Sequence, residues 1–263
     1  MSEVISGDVF TDANNYNVLV GGPGAGSITI TGDDQVETRD ISNLTVGGQL
    51  GATGYVGLDG STYGMTINLG DTGNGDGSNG NYYGRLDVGV NGGTGTMVIS
   101  GGADVISTNS GVYDAGQGFI AGGYNSVNVG RFDGGNGTLT VTGAGSSLLT
   151  FGEAPRITVG RQDGNGTLNI ADGATVGTLS LVVGRQYNAN GTVNVDGASL
   201  NINDTYGQYG LYNGSDYSAS GARIQLGRQG GTAALNVTNG GVVNITNTDG
   251  VTDGPRIDIA RGV

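Results

Sequence analysis

Cysteine, histidine, lysine and tryptophan are absent from this chain of 263 residues, and proline occurs only three times. Without histidine or cysteine, structural zinc, haem ligation, thiol catalysis and Ser-His-Asp chemistry lose the ligands and bases they need. Every positive charge is an arginine, ten in all against 23 acidic residues, for a net charge of −13. That field repels phosphate backbones and anionic lipid, so nucleic acid and membrane surfaces are poor partners. No apolar run approaches the roughly 18 residues of a membrane span, so no membrane insertion is expected. The opening MSEVISGDVFTDANN carries no basic start followed by an apolar stretch, and no Sec-type signal is legible.

Glycine, by contrast, fills 57 of 263 positions, far above its ordinary share of about 7%. The excess follows no G-X-Y register, which excludes collagen. Hydrophobic residues at 35%, mostly Val, Ile and Leu in alternation, argue against disorder. The composition is that of a folded, turn-rich, all-β chain.

A repeated phrase organises it. VGRQDGNGTLNIADGATV, from Val159 to Val176, has near-copies in VGRFDGGNGTLTVTGAGSSL, VGRQYNANGTVNVDGASL and LGRQGGTAALNVTNGGVV. Aligned on the Gly-Arg pair, and with degenerate copies beginning near Val20, Leu44, Gly89 and Ala260, the chain shows eight starts. From Arg131 through Arg161, Arg185 and Arg228 to Arg261 the spacings are 30, 24, 43 and 33 residues. A fixed cassette with variable insertions is what stacked coils with external loops produce. The 24-residue copy holds three short strands, around Ile157–Gly160, Thr167–Ile170 and Ala174–Leu179, which make one triangular coil. Within each strand the period is two. Inward positions then form ladders, Ile28, Met97, Leu139, Leu168, Val193 and Leu235 in one, and Ile30, Ile99, Val141, Ile170, Val195 and Val237 in the next. One coil alone cannot bury them, whereas a stack can. A sandwich or propeller is the competing arrangement, because D-G-N-G also makes hairpins; four-stranded blades, however, need about 40 residues. The expectation is a parallel β-solenoid of about eight coils with loop insertions, one domain over 1–263, with weaker repeats in 1–84 and clear ones in 85–263.

The cassette [IV]-x-V-G-R-x-x-G-x-G-T-[LV]-x-[IV]-x-x-G-A resembles the repeat of bacterial autotransporter passenger domains and PEP-CTERM-associated surface proteins. The resemblance covers about Arg85 to Val243. It implies a right-handed β-helix in a secreted or surface-displayed bacterial protein, and little about ligand, because such repeats serve as stalks. A translocator barrel, a PEP-CTERM tail and an N-terminal leader are not found in the sequence. The closing RIDIARGV matches the opening of a cassette, so the sequence reads as part of a longer chain or of a stacking assembly.

Four groups of residues invite a chemical reading. Arg131, Arg161, Arg185 and Arg228 would stack at one corner, either as an anion-binding stripe or, the favoured reading, as a structural ladder. In the ladder their five-donor guanidinium forks would satisfy turn carbonyls or carboxylates such as Asp133 and Asp163. Asp71, Asn74, Asp76 and Asn79 in GDTGNGDGSNGN supply oxygen ligands that suit calcium. The segment lacks the DxDxDG order and a bidentate glutamate, which favours a solvated insertion. Tyr206, Tyr209, Tyr212 and Tyr217 sit among Gly, Ser, Asn and Asp, the composition of a contact surface for sugar or a neighbouring subunit; packing of the rings on the solenoid wall explains them equally well. Thr96, Thr138, Thr167 and Thr192 would form an outward column, with stacked hydroxyls and amides as the ordinary outcome.

No pair of acids stands out beyond the repeat, and no cofactor is implied except that calcium. The sequence therefore points to a non-enzymatic structural or adhesive solenoid, a rod, fibre component or display scaffold at a bacterial surface. Its partners would be copies of itself, further coils or a glycan. A carbohydrate-binding or polysaccharide-active β-helix is the alternative.

Overall fold

The computed structural model describes residues 2–7, 9–11, 17–22, 24–31, 37–41, 43–60, 65–69, 84–109, 113–114, 118–119, 127–153, 155–208, 211–212, 215–216, 221–247 and 254–260. Three parallel sheets run the length of the chain. The first holds Asn17–Val20, Asn43–Val46, Arg85–Val90, Val127–Arg131, Arg156–Arg161, Ser180–Arg185, Arg223–Arg228 and Arg256–Ile259. The second holds Ala25–Thr31, Thr53–Asp59, Thr94–Ser100, Asn136–Thr142, Asn165–Ala171, Asn190–Asp196 and Thr232–Thr238. The third holds Glu37–Ile41, Met65–Leu69, Ala103–Asn109, Ser147–Glu153, Thr175–Thr178, Ser199–Asn203 and Val242–Thr246. One strand from each sheet makes a coil. The chain is a parallel β-solenoid, with seven such coils and the first strand of an eighth among the described residues.

The alternation in the sequence decides which way each strand faces. In Asn165–Ala171 every second residue is buried, and Leu168 pairs in register with Leu139 on one side and Val193 on the other. The ladder continues through Met97 and Val56 to Ile28. Leu168, Leu139, Met97 and Val193 are fully buried, at roughly 1.5–3 kcal/mol of apolar transfer each. The weak copy from Leu44 thus builds a whole coil, supplying Val56 and Leu58 to the two ladders.

Glycine closes the corner. Gly160 has φ +71°, and a Cβ there would collide with the carbonyl oxygen of Asn190 in the next coil. The turn needs a left-handed residue, and the stacking leaves no room for a side chain. That double demand is why the phrase reads V-G-R.

Insertions leave from one corner alone, between the third sheet and the next first-sheet strand. They follow Leu69, Asn109, Asn203 and Thr246, whereas the shortest passage there is the single residue Leu179 between Thr178 and Ser180. Two further strands lie outside the sequence expectation. Ser2–Gly7 pairs antiparallel with Ala25–Thr31, and Val9–Thr11 pairs antiparallel with Asn17–Val20. They cover two of the three edges of the first coil. This reversal has no signature in the sequence, because the cassette has no copy there.

Candidate functional site

The first-sheet strands carry eight of the chain's ten arginines, in two columns. Arg85, Arg156, Arg223 and Arg256 open their strands, while Arg131, Arg161, Arg185 and Arg228 close theirs. The closing column is in direct register, Arg131 with Arg161, Arg161 with Arg185 and Arg185 with Arg228. Stacked strands bring these positions about 4.8 Å apart, a close spacing for like charges.

Neighbouring side chains offset part of that repulsion. Arg161 Nε donates to Gln186 Oε1 of the next coil at 3.2 Å. Arg131 lies over the Phe132 ring, 3.9 Å from its centroid, a cation–π contact. Asp163 accepts from Asn188 Nδ2 at 3.1 Å, and the field on Arg161 is dominated by burial and Arg131. One partner of Arg161 is a glutamine one coil away, which a single repeat cannot reveal.

Between the two columns runs a third, formed by Asp87, Asn128, Thr158, Val182 and Gln225, all buried although they alternate with the inward ladder. Asp87 sits 2.7 Å from Arg85 Nε and accepts from Asn128 Nδ2 at 2.7 Å. Asp258 lies 3.6 Å from Arg256 Nε and accepts from Gln225 Nε2 at 3.3 Å. Asp87 and Asp258 are the only acids in the first-sheet strands.

The electrostatics follow. Burial, then Arg131, pushes the Arg161 guanidinium down to about 10. Arg185 is lowered by burial and then by Arg161 and Arg228. Burial also lowers Arg223, where Arg256 and Arg228 add to the effect, Asp258 opposes it and Arg185 contributes further. Arg131 is lowered by burial, with Asp87 opposing and Arg85 and Arg185 adding. All remain charged at neutral pH, in a shared positive field.

The other candidates are placed as follows. Tyr206 ends a 3₁₀ turn over Asp204–Tyr206 and packs on the outside of the third sheet. Its ring centroid is 5.3 Å from that of Phe151, at 52°, and it covers Gly177, where a Cβ would collide with the phenol. Burial raises its pKa. Tyr209 and Tyr217 lie outside the described residues. Tyr212 falls in the short antiparallel pair Leu211–Tyr212 with Ser215–Asp216, of which only the backbone is described. The calcium candidates Asp71, Asn74, Asp76 and Asn79 all lie outside the described residues. Among the described residues, no group of three acidic, histidine or cysteine side chains could hold a metal, and no helix is long and apolar enough to cross a membrane.

Thr96, Thr138, Thr167 and Thr192 stand in one outward register column of the second sheet. Beside it, Asn236 donates to Asn194 and Asn194 to Asn169, both at 2.8 Å, and Asn169 to Thr140 at 3.4 Å. A second amide ladder runs from Asn190 through Asn165 to Asn136, at 2.9 and 3.1 Å. These groups satisfy one another along the stack and brace the wall.

The fold and this face define a parallel β-solenoid protein with one arginine-lined wall. Compared with family models, curated proteins and solved structures, the chain matches none.

Proposed function

We propose that this chain is a non-enzymatic structural or adhesive solenoid of a bacterial secreted or surface protein, a stiff rod that spaces or displays other parts. The observation that carries the reading is the unbroken inward ladder from Ile28 to Leu235, shared by seven coils. Its outward neighbours are spent on amide-to-amide hydrogen bonds within the wall. A surface whose polar groups bond along the axis resists bending, and its stability sums over coil-to-coil contacts. The resemblance of the cassette to autotransporter and PEP-CTERM-associated repeats supports placement outside the cell.

Incubation with acidic and neutral polysaccharides tests this reading. The expected outcome is no cleavage product, together with a rod-like particle in small-angle scattering. Time-dependent cleavage by the purified chain would defeat it in favour of a polysaccharide-active β-helix.

A further inference from the structure

Charge in this molecule is segregated. Eight arginines and two aspartates lie in the first-sheet strands, while the chain as a whole carries −13. The like charges are concentrated where Arg185, Arg223 and Arg228 act on one another. Arg223 Nε donates to Ser180 Oγ at 3.4 Å, and Arg228 donates to Gln225 Oε1 at 3.4 Å, both neutral acceptors. Arg185 Nε is buried with no hydrogen-bond partner, as is Arg131 Nε. Asp258 opposes only part of this field at Arg223, and a cluster of half-buried guanidiniums with so little carboxylate against it favours an anion.

We propose that the half-exposed arginines of the first sheet form an interaction surface for a linear acidic polysaccharide, anchored by Arg185, Arg223 and Arg228 and extended along the axis by Arg161 and Arg131. This deepens the adhesive part of the proposed function, and the rod reading stands without it. The surface fits carboxylate or sulfate groups because guanidinium forks pair with both in bidentate fashion. Spacing selects the polymer. The coils repeat every ~4.8 Å, which suits a chain with about one anion per coil step. Duplex DNA carries a charge every ~1.7 Å of axis, and the net −13 of the whole chain opposes so dense a polyanion more strongly. A sparsely charged sugar chain instead meets one closing-column arginine at each step.

The test is titration of the full 263-residue chain with polygalacturonate at low salt, beside neutral dextran and a single-stranded oligonucleotide. The expected result is saturable binding of polygalacturonate alone, weakening as salt is raised. In the double variant Arg223→Gln/Arg228→Gln, binding should fall about tenfold or more, while Arg223→Lys/Arg228→Lys should keep most of it and a parental melting temperature. No binding by the parent, undiminished binding by a folded Gln variant, or equal binding of dextran or oligonucleotide would each overturn the proposal. Should the Gln variant unfold, the Lys variant and the choice among the three polymers still decide. Absence of binding defeats this surface only, whereas cleavage of the polymer defeats the non-enzymatic rod.

Discussion

Arg161 Nε of one coil donates to Gln186 Oε1 of the next, at 3.2 Å. The same two positions recur in the neighbouring coils as Arg131 with Gln162 and Arg185 with Gln229. There, both Nε atoms and both Oε1 atoms are buried without a hydrogen-bond partner. The bond is therefore made at one coil step, between Arg161 and Gln186, and not at the steps on either side.

Replacing Gln186 by Leu removes the acceptor from a half-buried cation and should cost about 1 kcal/mol. Gln186→Glu should do the reverse. Arg161 has a lowered proton affinity, brought by burial and then by Arg131 down to about 10. Its charge therefore weakens the fold at every pH below about 10, and the penalty fades as pH rises through 10 towards the ordinary arginine value. A carboxylate at 186 offsets that penalty, so the melting temperature at pH 7 should rise by about 2 °C or less. With a folded-state pKa held down by Arg161, the gain is present above the usual glutamate value of about 4.3 and is lost as pH falls below it. Thermal melts from pH 3 to 8 check this, and a gain that persists at pH 3 would contradict the pairing.

The inward ladder makes a larger demand. Leu168 is fully buried among Leu139, Val193 and the facing sheets. Leu168→Ala should cost about 2–5 kcal/mol. Leu168→Asp places an unpaired charge there and should abolish cooperative folding. A parental melting temperature in the Asp variant would refute the inward assignment.

Two glycines with similar dihedrals should respond in opposite ways. At Gly160 a side chain meets the Asn190 carbonyl, while Gly230, with φ +86°, has open space around it. Gly160→Ala should destabilise by several kcal/mol, since backbone must shift as well as φ. Gly230→Asn should stay within about 1 kcal/mol, because Asn tolerates the left-handed region, as Asn188 does at φ 52° and Asn239 at φ 50°. Urea unfolding of both variants would show the contrast, and equal losses would contradict it.

Tyr206 and Gly177 should be energetically coupled. Tyr206→Ala uncovers Phe151 and should cost about 1–3 kcal/mol. Gly177→Ala forces the phenol aside and should also destabilise. Combined, they should cost clearly less than their sum, because the new methyl enters the space that the ring leaves. Strict additivity in a double-mutant cycle would show that the ring does not rest on this wall. Tyr209→Ala and Tyr212→Ala should leave the melting temperature unchanged, and unfolding by either would make the insertion part of the core.

At the Arg256–Ile259 end, Ile257 is 53% and Ile259 72% exposed, with Val237 and Val242 beside them at 47% and 45%. Strand edges and apolar ladder residues together favour pairing with another chain. The 263-residue chain should therefore associate as its concentration rises, and high salt should not reverse this, since apolar burial and backbone pairing are screened little. Light scattering that reports a monomer at every concentration would defeat the expectation.

The sequence by itself determined the solenoid. A period of two within strands, a cassette that recurs after as few as 24 residues, and Leu168 aligned with Leu139 and Val193 fix which residues face inward and how coils register. Those are properties of one repeat compared with another, and a linear text displays them. The columns of Arg131, Arg161, Arg185 and Arg228 and of Thr96, Thr138, Thr167 and Thr192 were legible too, but which different columns would act on one another was not. Arg185 and Arg223 are far apart in the chain and belong to different columns, yet they lie in one field because the first sheet stacks their strands side by side. Nor did the text show that Gln186 receives Arg161, that Tyr206 lies against Phe151, or that Ser2–Gly7 turns back to pair antiparallel with Ala25–Thr31. Each of these depends on which outward positions meet across coils and corners. Hydrophobic alternation constrains the inside of a solenoid closely, but it leaves the outside free, and there only the tertiary structure decides.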